Sequence, residues 1–147
     1  MTNLSQHFTL EEMIRSQTAT RLDISEQFAP PESIRENLKS LCENVLEPLR
    51  TKLGAPIHIS SGFRCERLNQ MIGGAKSSQH ITGQAADIES NISAEELYKF
   101  IKDSGIKFDQ CIQEFSSWVH ISFSEYEQRG ECLRAIKVDG KTRYIPD

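Results

Sequence analysis

No apolar run in the sequence approaches the ~20 residues that a membrane-crossing helix needs, which excludes a helical anchor and predicts no membrane partner. The four cysteines, Cys42, Cys65, Cys111 and Cys132, form no C-x-x-C pair, so a zinc ribbon or a dithiol redox motif is excluded. Cys42 and Cys111 lie in apolar-periodic segments, where a thiol acts as a small core hydrophobe, and all four are expected to be free. A net charge of -4 without any basic cluster leaves no electrostatic footprint for nucleic acid. The opening "MTNLSQHFTLEEM" lacks the basic start and apolar stretch of a signal peptide, so synthesis and retention in the cytoplasm are expected. No internal repeat or low-complexity segment occurs. What is present is the composition of a globular chain, 37% hydrophobic and 26% charged over 147 residues, which predicts one domain spanning 1–147 and a monomer.

Helices come first along the chain. Thr9, three residues before Glu12, matches a capping box and predicts a short helix from about Leu10. After Pro30 and Pro31, the positions Ile34, Leu38, Leu41, Cys42, Val45, Leu46 and Leu49 recur at helical spacing, an amphipathic helix of ~five turns. Pro48 is expected to kink its last turn and Gly54 to close it. "CERLNQMIGG" predicts a helix ended by glycine, and Ser93 with Glu96 predicts a second capped helix ended at Gly105. Strand candidates cluster later in the chain: Ile57–Ser60, "AADIES", "FDQCIQEF", "WVHISFS", and a hairpin of "LRAIKV" and "KTRYIP" about Asp139-Gly140. This order predicts an α+β fold, with N-terminal helices packed on a small antiparallel sheet.

Within "SSQHITGQAADI", His80 and Asp87 stand seven apart, with Gly83 to turn the chain and Ala85 and Ala86 to leave room. Asp87 opens an apolar strand, where an unpaired carboxylate is costly and a cation removes the cost. A catalytic zinc takes about three protein ligands, so a third is needed from His7, His58 or His120. In "WVHISF", alternation puts Val119, Ile121 and Phe123 on one face and Trp118, His120 and Ser122 on the other, which favours His120. By itself a His-x6-Asp pair is more often a satisfied structural pair than a metal site.

The full string Ser78-x-His80-x-x-Gly83-x-Ala85-x-Asp87, followed by Trp118-Val119-His120 and preceded by "SSGFR", resembles the zinc D-alanyl-D-alanine carboxypeptidase (LAS) family and its phage lysin-like members. The resemblance covers roughly Leu10 to Ser124. It implies zinc held by His80, Asp87 and His120, and Arg64 lining the site to offset negative charge on the substrate carbonyl. It implies a peptidoglycan stem peptide as substrate, cut by carboxypeptidase or endopeptidase action at a bond involving a D-amino acid. Action on a cell wall would then follow release from the cell. Ser78 and Trp118 are the substrate-binding candidates, while Asp109, Gln110 and Gln113 either contact substrate or face solvent.

The sequence departs from the family pattern at the general base. Many members carry Glu or Asp three residues before the last histidine, and Ser117 stands there. Glu114, six residues before His120, is the nearest carboxylate. If the two lie across a hairpin, a three-residue loop keeps Glu114 on the face of Trp118 and His120, whereas two or four residues do not. Ser117 also sustains the rival expectation of a weak or inactive zinc-dependent peptidoglycan-binding module, beside that of a phage structural protein.

Overall fold

A computed structural model describes residues 1–147. Helix α1 (Leu10–Ile14) starts at Thr9, whose hydroxyl accepts the Glu12 N–H at 3.2 Å while the Glu12 carboxylate accepts the Thr9 N–H at 2.9 Å. A second short helix, α2 (Gln17–Arg21), is capped by Ser16 and leads into a single 3₁₀ turn, Ser25–Phe28. Helix α3 (Glu32–Leu41) continues through a π-helical turn, Cys42–Leu46, into α4 (Glu47–Leu53), and Gly54 ends it at φ 68°. The π turn is where Pro48 acts. Proline cannot donate to the carbonyl four residues back and its ring crowds that group. The ladder widens just before it, with the Glu47 N–H reaching Cys42 O, so the adjustment falls one turn earlier than the expected kink.

Strand β1 (His58–Ser61) and helix α5 (Glu66–Met71) precede β2 (Ala85–Glu89). Helix α6 (Ala94–Asp103) begins with the predicted Ser93–Glu96 capping box. Strands β3 (Gln110–Glu114), β4 (Trp118–Ser122), β5 (Glu131–Val138) and β6 (Lys141–Pro146) follow. Asp139 and Gly140 turn the last hairpin with φ of 52° and 77°, the left-handed conformations that a two-residue turn requires.

The six strands form one sheet in the order β1-β2-β4-β3-β5-β6. All neighbours are antiparallel except β3 and β5, which run parallel. The exception has a simple cause. β4 ends beside the start of β3, and the chain crosses that end of the sheet directly, so β5 sets out in the direction of β3. Alternation along the strands then divides the faces. Ala86, Ile88, Cys111, Val119 and Ile121 join the helices in the main hydrophobic core, with Leu38, Leu41, Leu46 and Leu97 fully or almost fully buried. The opposite face carries a smaller cluster, Ile112, Leu133 and Ala135, against which Phe115 packs. All four cysteines are free, and Cys42 and Cys111 lie in the core as expected.

Candidate metal centre

The site stands on the sheet face turned away from the helices. Asp87 on β2 pairs directly with His120 on β4. Directly opposite residues of an antiparallel pair project to the same side, so two potential ligands meet through strand register alone. His120 Nδ1 lies 3.2 Å from Asp87 Oδ1. His80 comes from the loop between α5 and β2. That loop is held against α3 at Gly83 (φ 73°), where a Cβ would lie 2.9 Å from the Ile34 carbonyl oxygen. The Asn37 amide donates to Thr82 O, which pins the same segment. His80 Nε2 then reaches Asp87 Oδ1 at 3.2 Å, and all three side chains are buried.

The opposite side of the His80 ring is equally constrained. Its Nδ1–H donates to Gly62 O at 2.7 Å, which leaves Nε2 with a lone pair in the neutral ring. Gly62 is required for this approach, because a Cβ there would lie 2.4 Å from Met13 O. Burial lowers the His80 pKa and so favours that neutral form. Burial alone would raise the Asp87 pKa, but His80 and His120 together hold the carboxyl well below its usual range. With a proton on Nε2 the ring donates to Asp87 and lowers its pKa; without one, an ionised oxygen faces an imidazole lone pair, a contact that a cation relieves.

The ligand atoms of His80, Asp87 and His120 all lie within 4.8 Å of one another, so the cluster could hold a metal ion. Two ligands about 2.0–2.1 Å from a tetrahedral zinc stand about 3.3 Å apart, close to the contacts found here. The His-Asp-His donor set also suits zinc. Histidine and carboxylate chemistry and spacing therefore fit the group.

Around the cluster lies an open cavity of about 360 Å³, lined by His80, Asp87, His120, Arg64, Glu114 and Trp118 among others. Arg64 Nη2 stands 3.6 Å from Asp87 Oδ2, while Nε donates to Ser61 Oγ at 3.2 Å and Nη1 to Asn69 Oδ1 at 3.0 Å. Burial lowers its pKa, against the pull of Asp87 and Glu114. Asn69 is itself held by donating to Ala75 O, and Gly74 clears the space: a Cβ there would fall 2.1 Å from Asn69 Oδ1. Glu114 pairs directly with Trp118 across the β3–β4 hairpin, with Phe115, Ser116 and Ser117 as its loop. The three-residue loop puts Glu114 on the face of Trp118 and His120. Burial raises the Glu114 carboxyl above its ordinary pKa and the charge of Asp87 adds to this, whereas His120 and Arg64 pull it back.

A family model for Peptidase M15 matches residues 6–122, most of the chain. The chain belongs to the peptidase M15 family. This is the zinc D-alanyl-D-alanine carboxypeptidase (LAS) family that the motif resembles. M15 peptidases are zinc-dependent enzymes acting on peptidoglycan, and no curated protein matches this member in sequence comparison.

Other candidate residues of this M15 peptidase are placed elsewhere. Ser78 does not line the cavity; its hydroxyl accepts the His80 N–H at 3.2 Å and shapes the loop. Ser117 is exposed and donates to Phe115 O. His7 pairs with Glu47 at 2.8 Å and is not part of the cluster, and His58 lines a neighbouring cavity with Arg15. Asp109 neither contacts the cavity nor faces solvent: it is buried and accepts from Arg129 Nε at 2.7 Å and Gln79 Nε2 at 2.9 Å. Gln110 binds Glu131 and Gln113 binds Glu95, so neither is free for substrate. Sequence reasoning missed Asn69 and Gly74, whose only trace is the Gly-Gly after α5, and it missed the wall contributed by β5 and β6.

Proposed function

We propose that this chain is a single-domain zinc peptidase that hydrolyses peptidoglycan stem peptides at a bond involving a D-amino acid. His80, Asp87 and His120 hold the zinc, Glu114 is the general base, and Arg64 stabilises the oxyanion. A bound zinc supplies Lewis acidity, which brings the ionisation of water toward neutral pH. Glu114 accepts a proton from the attacking water, whose oxygen bonds to the carbonyl carbon. Negative charge then develops on the former carbonyl oxygen, and the Arg64 guanidinium, held by Ser61 and Asn69, offsets it. When the C–N bond breaks, Glu114 returns the proton to the leaving amine.

The observation that carries this reading is the β3–β4 register. It sets a carboxylate that is not itself part of the His80–Asp87–His120 cluster on the same face and in the same cavity. The test is hydrolysis of a defined stem peptide, followed by mass spectrometry with and without chelator. Cleavage beside a D-residue that chelator abolishes and zinc restores is expected. A protein that binds zinc and stem peptide but releases no product would be a binding module instead.

A further inference from the structure

The family match ends at residue 122, yet the cavity does not end there. Its outer wall is the hairpin β5–β6, through Lys137, Thr142 and Tyr144. Strand register accounts for this. Glu114 on β3 pairs with Ala135 on β5, so Ala135 and Lys137 project to the side of Glu114. Ala135 pairs with Tyr144 and Lys137 with Thr142, which brings both β6 residues to that same side. Lys137 Nζ is not a freely swinging cation. It donates to Thr142 Oγ1 at 3.0 Å and lies 5.3 Å from the centre of the Phe115 ring, and neither contact neutralises it.

Position across the sheet assigns a side to this charge. Arg64, just after β1, lies at one end of the cavity, the metal cluster on β2 and β4 comes next, then Glu114 on β3, then Lys137 on β5. The oxyanion belongs at the Arg64 end, and the leaving amine belongs beside Glu114, which protonates it. Continuing in that direction, the group beyond the leaving amine meets Lys137. We infer that Lys137, presented by the C-terminal hairpin, binds a free carboxylate on the leaving residue of the substrate. This deepens the proposed peptidase reading and rests on its assignment of Glu114. It favours release of a carboxylate-bearing terminal amino acid over cleavage within a chain that continues beyond it.

The test uses two probes that cannot be hydrolysed. Each is a stem pentapeptide whose terminal D-Ala–D-Ala amide is reduced to CH₂–NH, one with a free terminal carboxylate and one with a primary amide. Calorimetry on the zinc-loaded protein should show the acid binding about fivefold tighter than the amide, the scale of one partly screened ion pair. Lys137→Met should erase that preference, through a loss of affinity for the acid larger than any loss for the amide, with the zinc content unchanged. Lys141→Met, at the hairpin turn and outside the cavity, should retain the preference. Equal binding of acid and amide by the unaltered protein, or a preference that survives Lys137→Met, would overturn the inference. Turnover of the ordinary pentapeptide is scored separately. A missing turnover with an intact carboxylate preference defeats the peptidase reading alone, and turnover without the preference defeats the Lys137 site alone.

Discussion

Glu114→Gln keeps the shape of the side chain and removes its basicity. Because Glu114 lies outside the three-residue cluster, the variant should retain zinc and fold while hydrolysis falls by about 10²–10⁴-fold. Stem-peptide turnover alongside metal analysis checks this, and near-normal turnover would pass the role to another group. Arg64→Ala should raise the barrier by about 2.7–4 kcal/mol with less effect on metal content, because the role proposed for the guanidinium is to offset charge that develops during reaction. Gly74→Ala tests how that guanidinium is aimed. The added methyl would sit 2.1 Å from Asn69 Oδ1 and 3.0 Å from Arg64 Nη1, so the brace must shift. Turnover should drop with zinc retained, and a normal rate would show that Asn69 does not position Arg64.

At the scale of elements, α6 is fastened to β5 by an ion pair between Glu95 and Arg134, with Gln113 of β3 donating to the same carboxylate. The Arg134 hydrogen bonds pull the Glu95 pKa down from 4.5 to about 2. A carboxyl with a depressed folded pKa contributes stability that is present above its unfolded value and lost as protons bind the folded form. The contribution is therefore complete above about pH 4.5 and disappears as pH falls toward 2. Urea melts across that window should show a shallower loss of stability with acid for Glu95→Gln than for the unaltered chain. Parallel pH profiles would remove Glu95 from the account. The same scale explains why the face taken by Glu114 could not be read from the residue types. The loop Phe115–Ser117 has φ of 55° at Phe115 and 58° at Ser116, conformations unusual for side-chain-bearing residues. Without the glycine or asparagine that announces a tight turn, its three-residue length was not written in the residue types.

For the molecule as a whole, the metal is expected to be a structural tie as well as a reagent. Its candidate ligands come from the loop before β2, from β2 and from β4. Binding to the folded chain alone stabilises it by about 2.7 kcal/mol at a hundredfold excess over Kd. For a chain of this size, that corresponds to a rise of roughly 5–10 °C in Tm. Calorimetric melts with zinc and with chelator should differ in that direction, and Asp87→Asn should remove most of the difference. Identical melts would show that the folded chain binds no zinc, and a difference that survives Asp87→Asn would place the metal outside this cluster.

The sequence by itself determined the parts whose causes are local. The capping boxes at Thr9 and Ser93, the amphipathic helix from Glu32 and the Asp139-Gly140 hairpin depend on neighbours within a few residues. The spacing from Ser78 to Asp87 similarly pointed to the metal cluster, because a loop and strand of fixed length connect its first two members. Only the tertiary structure decided which residues stand beside that cluster. Gly62 and Gly74 matter through the atoms a Cβ would strike, Asn69 through Arg64, and Lys137 through two successive strand registers. It also removed Asp109 and Ser78 from the cavity by giving them other partners. Those relations join positions far apart in the chain, and they come into being only when strands pair and loops pack.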